Sequence, residues 1–131
     1  MKYQLHDSQI SKIEINEDTI TFIFSQGFWK TDEHGKMSEQ LENCKIVFEI
    51  DTDDVPVEDF ISIRISKKSG TYKTVSLEKF MRLLKRTPFD VYFEYNCDFA
   101  NSKMLQIHSC YLCIRAEIFI EEIKRLEYIH D

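Results

Sequence analysis

The residues of this chain best equipped for chemistry are four cysteines and four histidines, and their spacing limits what they can do. His108-Ser109-Cys110-Tyr111-Leu112-Cys113 gathers two thiols and an imidazole in six residues, the ingredients of half a zinc site. A zinc knuckle needs its cysteines to converge from a turn. Tyr111-Leu112 instead reads as strand or core, where the two thiols would point to opposite faces. Cys44 and Cys97 have no partner at knuckle spacing, so buried free thiols are the expectation and no metal or cofactor is assigned. A redox role for Cys110 and Cys113 is weaker still, because the motif does not open a helix after a strand.

Other chemistries fail on similar grounds. Asp51, Asp53 and Asp54 resemble the start of a calcium loop, but the sixth position is Pro56 instead of glycine and the twelfth is Ser62 instead of glutamate. His6-Asp7-Ser8 holds the residue types of a hydrolase triad, yet neighbours in sequence cannot adopt triad geometry, and Asp7 or Ser8 is better read as the turn that starts a strand. Glycines at 27, 35 and 70 cannot build a phosphate loop. The expectation is a protein without catalytic residues.

The charge pattern points to binding. Between Arg64 and Arg86 lie eight basic residues, among them Lys67, Lys68, Lys73, Lys79, Arg82 and Arg86, against the single acid Glu78. That stretch carries +7, which leaves −13 for the remainder of a chain whose net charge is −6. One-signed surfaces focus potential and speed encounters with charged partners. The acidic counterpart is Asp51, Asp53, Asp54, Glu58 and Asp59. Phe28-Trp29, in a polar stretch after Gly27, reads either as a cap on the core or as an aromatic interface anchor.

The elements that must carry these groups follow from periodicity. Ile13 and Ile15, then Ile20, Phe22 and Phe24, alternate with polar or smaller residues across Asn16-Glu17-Asp18 and predict a hairpin. Residues 26–40 read as an irregular excursion. Strands are predicted at 45–50, 60–66, 72–75, 89–96 and 112–121, with a turn at Ser69-Gly70-Thr71 and a final strand or short helix at 123–129. Along 89–96 the alternation assigns Phe89, Val91, Phe93 and Tyr95 to one face and Asp90, Tyr92, Glu94 and Asn96 to the other. Residues 77–86 predict one helix, capped by Ser76, stopped by Pro88, with Lys79, Arg82 and Arg86 opposite a stripe of Leu77, Phe80, Met81 and Leu84. The fold class expected is α+β: a mostly antiparallel sheet of about six to eight strands with one helix, in a single domain over 1–131.

With 43% hydrophobic and 31% charged residues the composition is that of a soluble globular protein, and no secretion signal opens the chain, so a cytoplasmic protein with reduced thiols is expected. Abundant Ile, Lys, Glu and Phe with 3 Gly and 2 Pro suggest a low-GC bacterial source. The opening Leu5-His6-Asp7-Ser8-Gln9-Ile10, the hairpin after it and Gly27-Phe28-Trp29 resemble the start of small uncharacterised bacterial proteins, some of them similar to toxin-immunity proteins. The resemblance spans about the first thirty residues. It implies a cytosolic binder whose acidic surface occludes a toxin, often a basic nuclease, and it transfers no site residue.

The function expected is a non-enzymatic protein-interaction module, monomeric or a small homo-oligomer, contacting a basic partner through Phe28, Trp29, Asp51, Asp53, Asp54, Glu58 and Asp59. A small-ligand domain or enzyme with a pocket between sheet and helix, converging on His108, Tyr92 or Glu94, is the alternative. Nucleic-acid binding through 64–86 ranks third, against the net charge of −6 and a pI near 5.2.

Overall fold

Alternation of large apolar and polar residues dominates this chain, and its described residues fold into thirteen strands, more than the sequence suggests, with one α-helix, α1, and a short 3-10 helix at Val57–Phe60. The computed structural model describes residues 2–67, 70–97 and 100–130, without the side chains of Lys2 and Ser38. Lys68 and the turn residue Ser69 lie outside the described residues.

The larger sheet has the order β2-β10-β11-β12-β8-β9, all antiparallel: β2 (Gln9–Ile10), β8 (Ile61–Ser66), β9 (Tyr72–Val75), β10 (Phe89–Cys97), β11 (Ser102–Ser109) and β12 (Ile114–Ile120). A second sheet runs β13-β7-β4-β3, with β3 (Lys12–Ile15), β4 (Thr19–Phe24), β7 (Cys44–Ile50) and β13 (Ile123–Ile129). The inner rows of the two sheets, including Phe22, Ile46 and Phe48 from one and Ile63, Ile107 and Ile118 from the other, belong to a single buried cluster. Each such side chain contributes about 1.5–3 kcal/mol by leaving water.

Residues 26–40 are more regular than their composition suggests. They hold β5 (Trp29–Thr31) and β6 (Met37–Gln40), which join β1 (Lys2–Gln4) in a third sheet, β1-β5-β6. Gly27 makes this possible. It is buried at φ +78°, and a β-carbon there would lie 1.5 Å from the Leu41 carbonyl oxygen. Only glycine tolerates that approach, and the chain it admits carries Phe28 into the core.

Helix α1 (Leu77–Arg86) forms as its capping residues predict: Ser76 Oγ accepts the Lys79 N–H at 3.1 Å, and the chain turns extended at Thr87 before Pro88. Phe80 and Leu84 are buried, with the Phe80 ring 5.2 Å from Phe89. Among the described residues no helix is long and apolar enough to cross a membrane.

Two local departures set the stage for function. Strand β10 carries a bulge: Val91 pairs with Ile107, but Phe93 pairs with Gln106, so Tyr92 is an extra residue. An inserted residue reverses the phase of everything after it. Phe93 and Tyr95, expected beside Val91, therefore face outward at 47% and 54% exposure. Half-buried Glu94 and exposed Asn96 come to the side of Lys103, a buried residue of β11, whose ammonium donates to Glu94 Oε1 at 3.0 Å and to Asn96 Oδ1 at 2.8 Å. Glu94 Oε2 also accepts the Leu5 N–H at 2.9 Å. The second departure is at Cys110–Cys113, which is a hairpin turn between β11 and β12 and not strand or core. Cys113 donates its N–H to the Cys110 carbonyl at 3.3 Å and has φ 55°.

Candidate functional site

The acidic run forms part of a larger acidic end. Residues 51–59 link β7 to β8, and backbone hydrogen bonds tie two other acidic segments to this connection. Asp51 N–H donates to the Glu122 carbonyl at 2.9 Å, Glu121 N–H to the Phe60 carbonyl at 2.9 Å, and Ile50 N–H to the Asp18 carbonyl at 2.8 Å. Asp51, Asp53, Asp54, Glu58 and Asp59 are all exposed, as are Glu17, Asp18, Glu121 and Glu122. Among the described residues none of these nine carboxylates has an ion-pair partner, so their field reaches solvent unneutralised. Sequence reasoning found the run at 51–59, but Glu17, Asp18, Glu121 and Glu122 join it only through strand pairing.

Next to this end lies the outer face of the larger sheet. Pairing across the strands gives the row Tyr95-Met104-Phe119-Ser62, and Phe119 stands two residues along β12 from Glu121. The adjoining row is Phe93-Gln106-Glu117-Arg64-Thr74. Its polar members are held together: Gln106 Nε2 donates to Glu117 Oε2 at 3.2 Å, and Arg64 pairs with Glu117 at 3.7 Å while lying 5.5 Å from the Tyr72 ring centroid. Further along, Tyr92 and His108 meet at 5.2 Å, and His108 lies 3.9 Å from Asp90. Burial raises the Tyr92 phenol above its ordinary value, and neighbouring Tyr72 adds to the rise.

The aromatic pair singled out from sequence divides. Phe28 is fully buried, its ring 5.4 Å from Tyr3, 5.6 Å from Tyr128 and 5.7 Å from Phe24, so it belongs to the core and not to a contact surface. Trp29 is half-buried on β5. Phe93 and Tyr95, which simple alternation places on the same face as the buried Val91, are exposed instead. No local signal in the sequence marks the bulge that turns them out.

Of the three residues named for the alternative pocket reading, His108 lines a cavity of about 470 Å³ with Ser66, Cys110 and Arg115, and Glu94 is not among its lining residues. Tyr92 and His108 share the outer face, while Glu94 lies beside Lys103, whose side chain is 1% exposed. Close to that cluster, burial and the Glu94 charge push the Tyr128 phenol up.

The basic residues assemble at the opposite end of β8 and β12. Lys67, Lys73, Lys79, Arg82 and Arg86 are all exposed. A cleft of about 570 Å³ between α1, the end of β8 and the Cys110–Cys113 turn has Ile65, Leu83, Leu112 and Ile114 as its apolar lining. Lys67, Lys79 and Arg86 supply its charge, and Tyr111, 79% exposed, stands at its edge. Arg82 does not line it. Cys110 and Cys113, expected buried, are exposed free thiols, Cys44 is buried and Cys97 is half-buried. Among the described residues no three metal-ligating side chains converge. No known protein family, curated protein or solved structure matches this chain.

Proposed function

We propose that this protein is a non-catalytic interaction module of the bacterial cytosol that captures a basic protein partner, with the acidic end steering the encounter and the exposed aromatics of the larger sheet holding the complex. The observation that carries this reading is the juxtaposition of Phe93 and Tyr95, turned outward by a bulge, with an acidic end assembled from three separate chain segments. Unneutralised carboxylates raise association rates with a cationic surface and add little affinity. Exposed aromatics supply contact area at low entropic cost, the usual composition of an interface hot spot. The partner we propose is of the kind an immunity protein meets, a toxin domain with a cationic surface.

The test is to recover the tagged protein from its native host at low salt, beside Asp53→Lys/Asp54→Lys, Tyr95→Ala and the control Glu14→Lys on the other sheet, and then to measure binding kinetics with what is retained. A stoichiometric basic protein released by salt is expected. The double lysine variant should slow its association in a salt-dependent way, and Tyr95→Ala should speed its dissociation about 30-fold or more, the effect of a hot-spot residue. Equal capture by all four proteins would overturn the reading.

A further inference from the structure

The basic end has a shape and composition that steering alone does not explain. The cleft beside α1 does not stop at its own rim. A neighbouring cavity of about 300 Å³ shares Ile65, Lys67 and Lys79 with it and extends to Lys73, so the four cations Lys67, Lys73, Lys79 and Arg86 border a track of two adjoining cavities. No aspartate or glutamate lines either cavity. None of the four cations has an ion-pair partner among the described residues. At its end stands Tyr111, held out by the tight turn in which Leu112 N–H donates to Ser109 Oγ at 3.1 Å.

We infer that this track binds single-stranded nucleic acid, with phosphates against the four cations and a base stacked on Tyr111. Several cations in a row match the repeated charge of a phosphodiester strand, where a single phosphate would leave most of them idle. An exposed ring beside a cationic groove is the pairing by which single strands are held without regard to sequence. An acidic peptide would satisfy the cations but leave the tyrosine in water. The acidic residues at the far ends of β8 and β12 repel phosphate, so a strand is confined to this end despite the chain's net charge of −6.

The experiment is fluorescence anisotropy with a labelled oligothymidylate of roughly twelve nucleotides, a length within the range that one small single-strand-binding domain covers. Four phosphate contacts predict that affinity falls about 50-fold between roughly 50 and 200 mM salt. Tyr111→Ala should weaken binding by roughly 5- to 150-fold, the loss of one stacked base. Lys67→Glu/Lys79→Glu should abolish binding, while Lys12→Glu, a charge reversal on the other sheet, should do no more than the added acid does through the long-range field. These side chains are exposed, so the variants retain the fold, and circular dichroism would check that they do. Four outcomes would overturn the inference: no binding at low salt, affinity unchanged by Tyr111→Ala, losses for Lys12→Glu as large as for the cleft variant, or polyglutamate, duplex or a mononucleotide competing as well as the strand.

Discussion

The outer faces of the two large sheets are made by the same backbone rule and finished differently. On the smaller sheet the outward rows are Arg125-Glu49-Thr19, Glu127-Val47-Thr21-Glu14 and Ile129-Lys45-Ile23-Lys12, where charges of both signs and β-branched residues intermingle. No aromatic ring faces out from these rows. On the larger sheet the outward rows carry Phe93, Tyr95, Phe119, Met104 and Tyr72 around the Arg64–Glu117 pair. The first pattern is what solubility alone requires. The second leaves large apolar area in water, which a monomer has no reason to keep unless something covers it. Phe93 and Tyr95 owe their place in these rows to one inserted residue, Tyr92, which reverses the phase of β10 and also brings Glu94 to Lys103.

The sharpest way to break this contrast is therefore from beneath. Glu94→Gln replaces the carboxylate that neutralises the buried Lys103 ammonium with an uncharged amide, and removing one charge of a buried ion pair costs about 3–5 kcal/mol, read as a lower urea midpoint. A loss under about 1 kcal/mol would mean that the pair does not hold the reversed phase.

The next largest effect falls on the surface itself. Tyr95→Ala should cost at least about 2 kcal/mol of partner binding. Thr21→Ala on the smaller sheet should change it by no more than about 0.5 kcal/mol, the usual range for surface substitutions. Equal losses at the two positions would erase the distinction between the faces.

A smaller effect is expected where the sheets meet. Tyr128 stacks on Tyr3 with ring centroids 4.8 Å apart, and burial followed by the Glu94 charge raises its phenol in the folded state. A raised value means that folded protein holds this proton more tightly than unfolded protein. The associated stability is complete below the ordinary tyrosine value of about 10 and is lost as pH rises beyond it. Denaturation measured on both sides of that pH should show a decline that Tyr128→Phe diminishes. The smallest effect concerns Ser8, whose buried hydroxyl has no hydrogen-bond partner among the described residues. Ser8→Ala should leave the melting temperature unchanged or raise it slightly, because it removes a polar group that folding desolvates without reward.

Much of this architecture could be read in advance, and the failures share a cause. Ile20, Phe22 and Phe24 alternate cleanly, as do Ile46, Phe48 and Ile50, and both strands formed with those residues inside. The helix came with its cap and stop residues at the expected positions. Strand β11 carries no clean alternation because Lys103 holds an inner position that an apolar residue would ordinarily fill. The orientation of β10 was reversed after residue 92, since a bulge leaves no local mark. Strands β5 and β6 are short and polar, and they pair in a sheet that residues 26–40 cannot specify without β1. The candidate surface was half legible: the run at 51–59 declares itself by charge, whereas Glu121, Glu122, Asp18 and the outward rings of Phe93 and Tyr95 acquire their meaning only from pairing between distant strands.

The separation of charge along β8 also affects how the protein behaves before it meets any partner. From Phe60 to Lys67 the chain passes from a cluster of bare carboxylates to a cluster of bare ammonium and guanidinium groups, over roughly 20 Å of extended strand. That span exceeds the Debye length of about 8–10 Å at moderate salt, so each end presents its own sign to whatever approaches it. An acidic protein by titration is thus bifunctional on a column. At neutral pH and low ionic strength it should be retained by anion-exchange and by cation-exchange resin alike, each holding it by a different end.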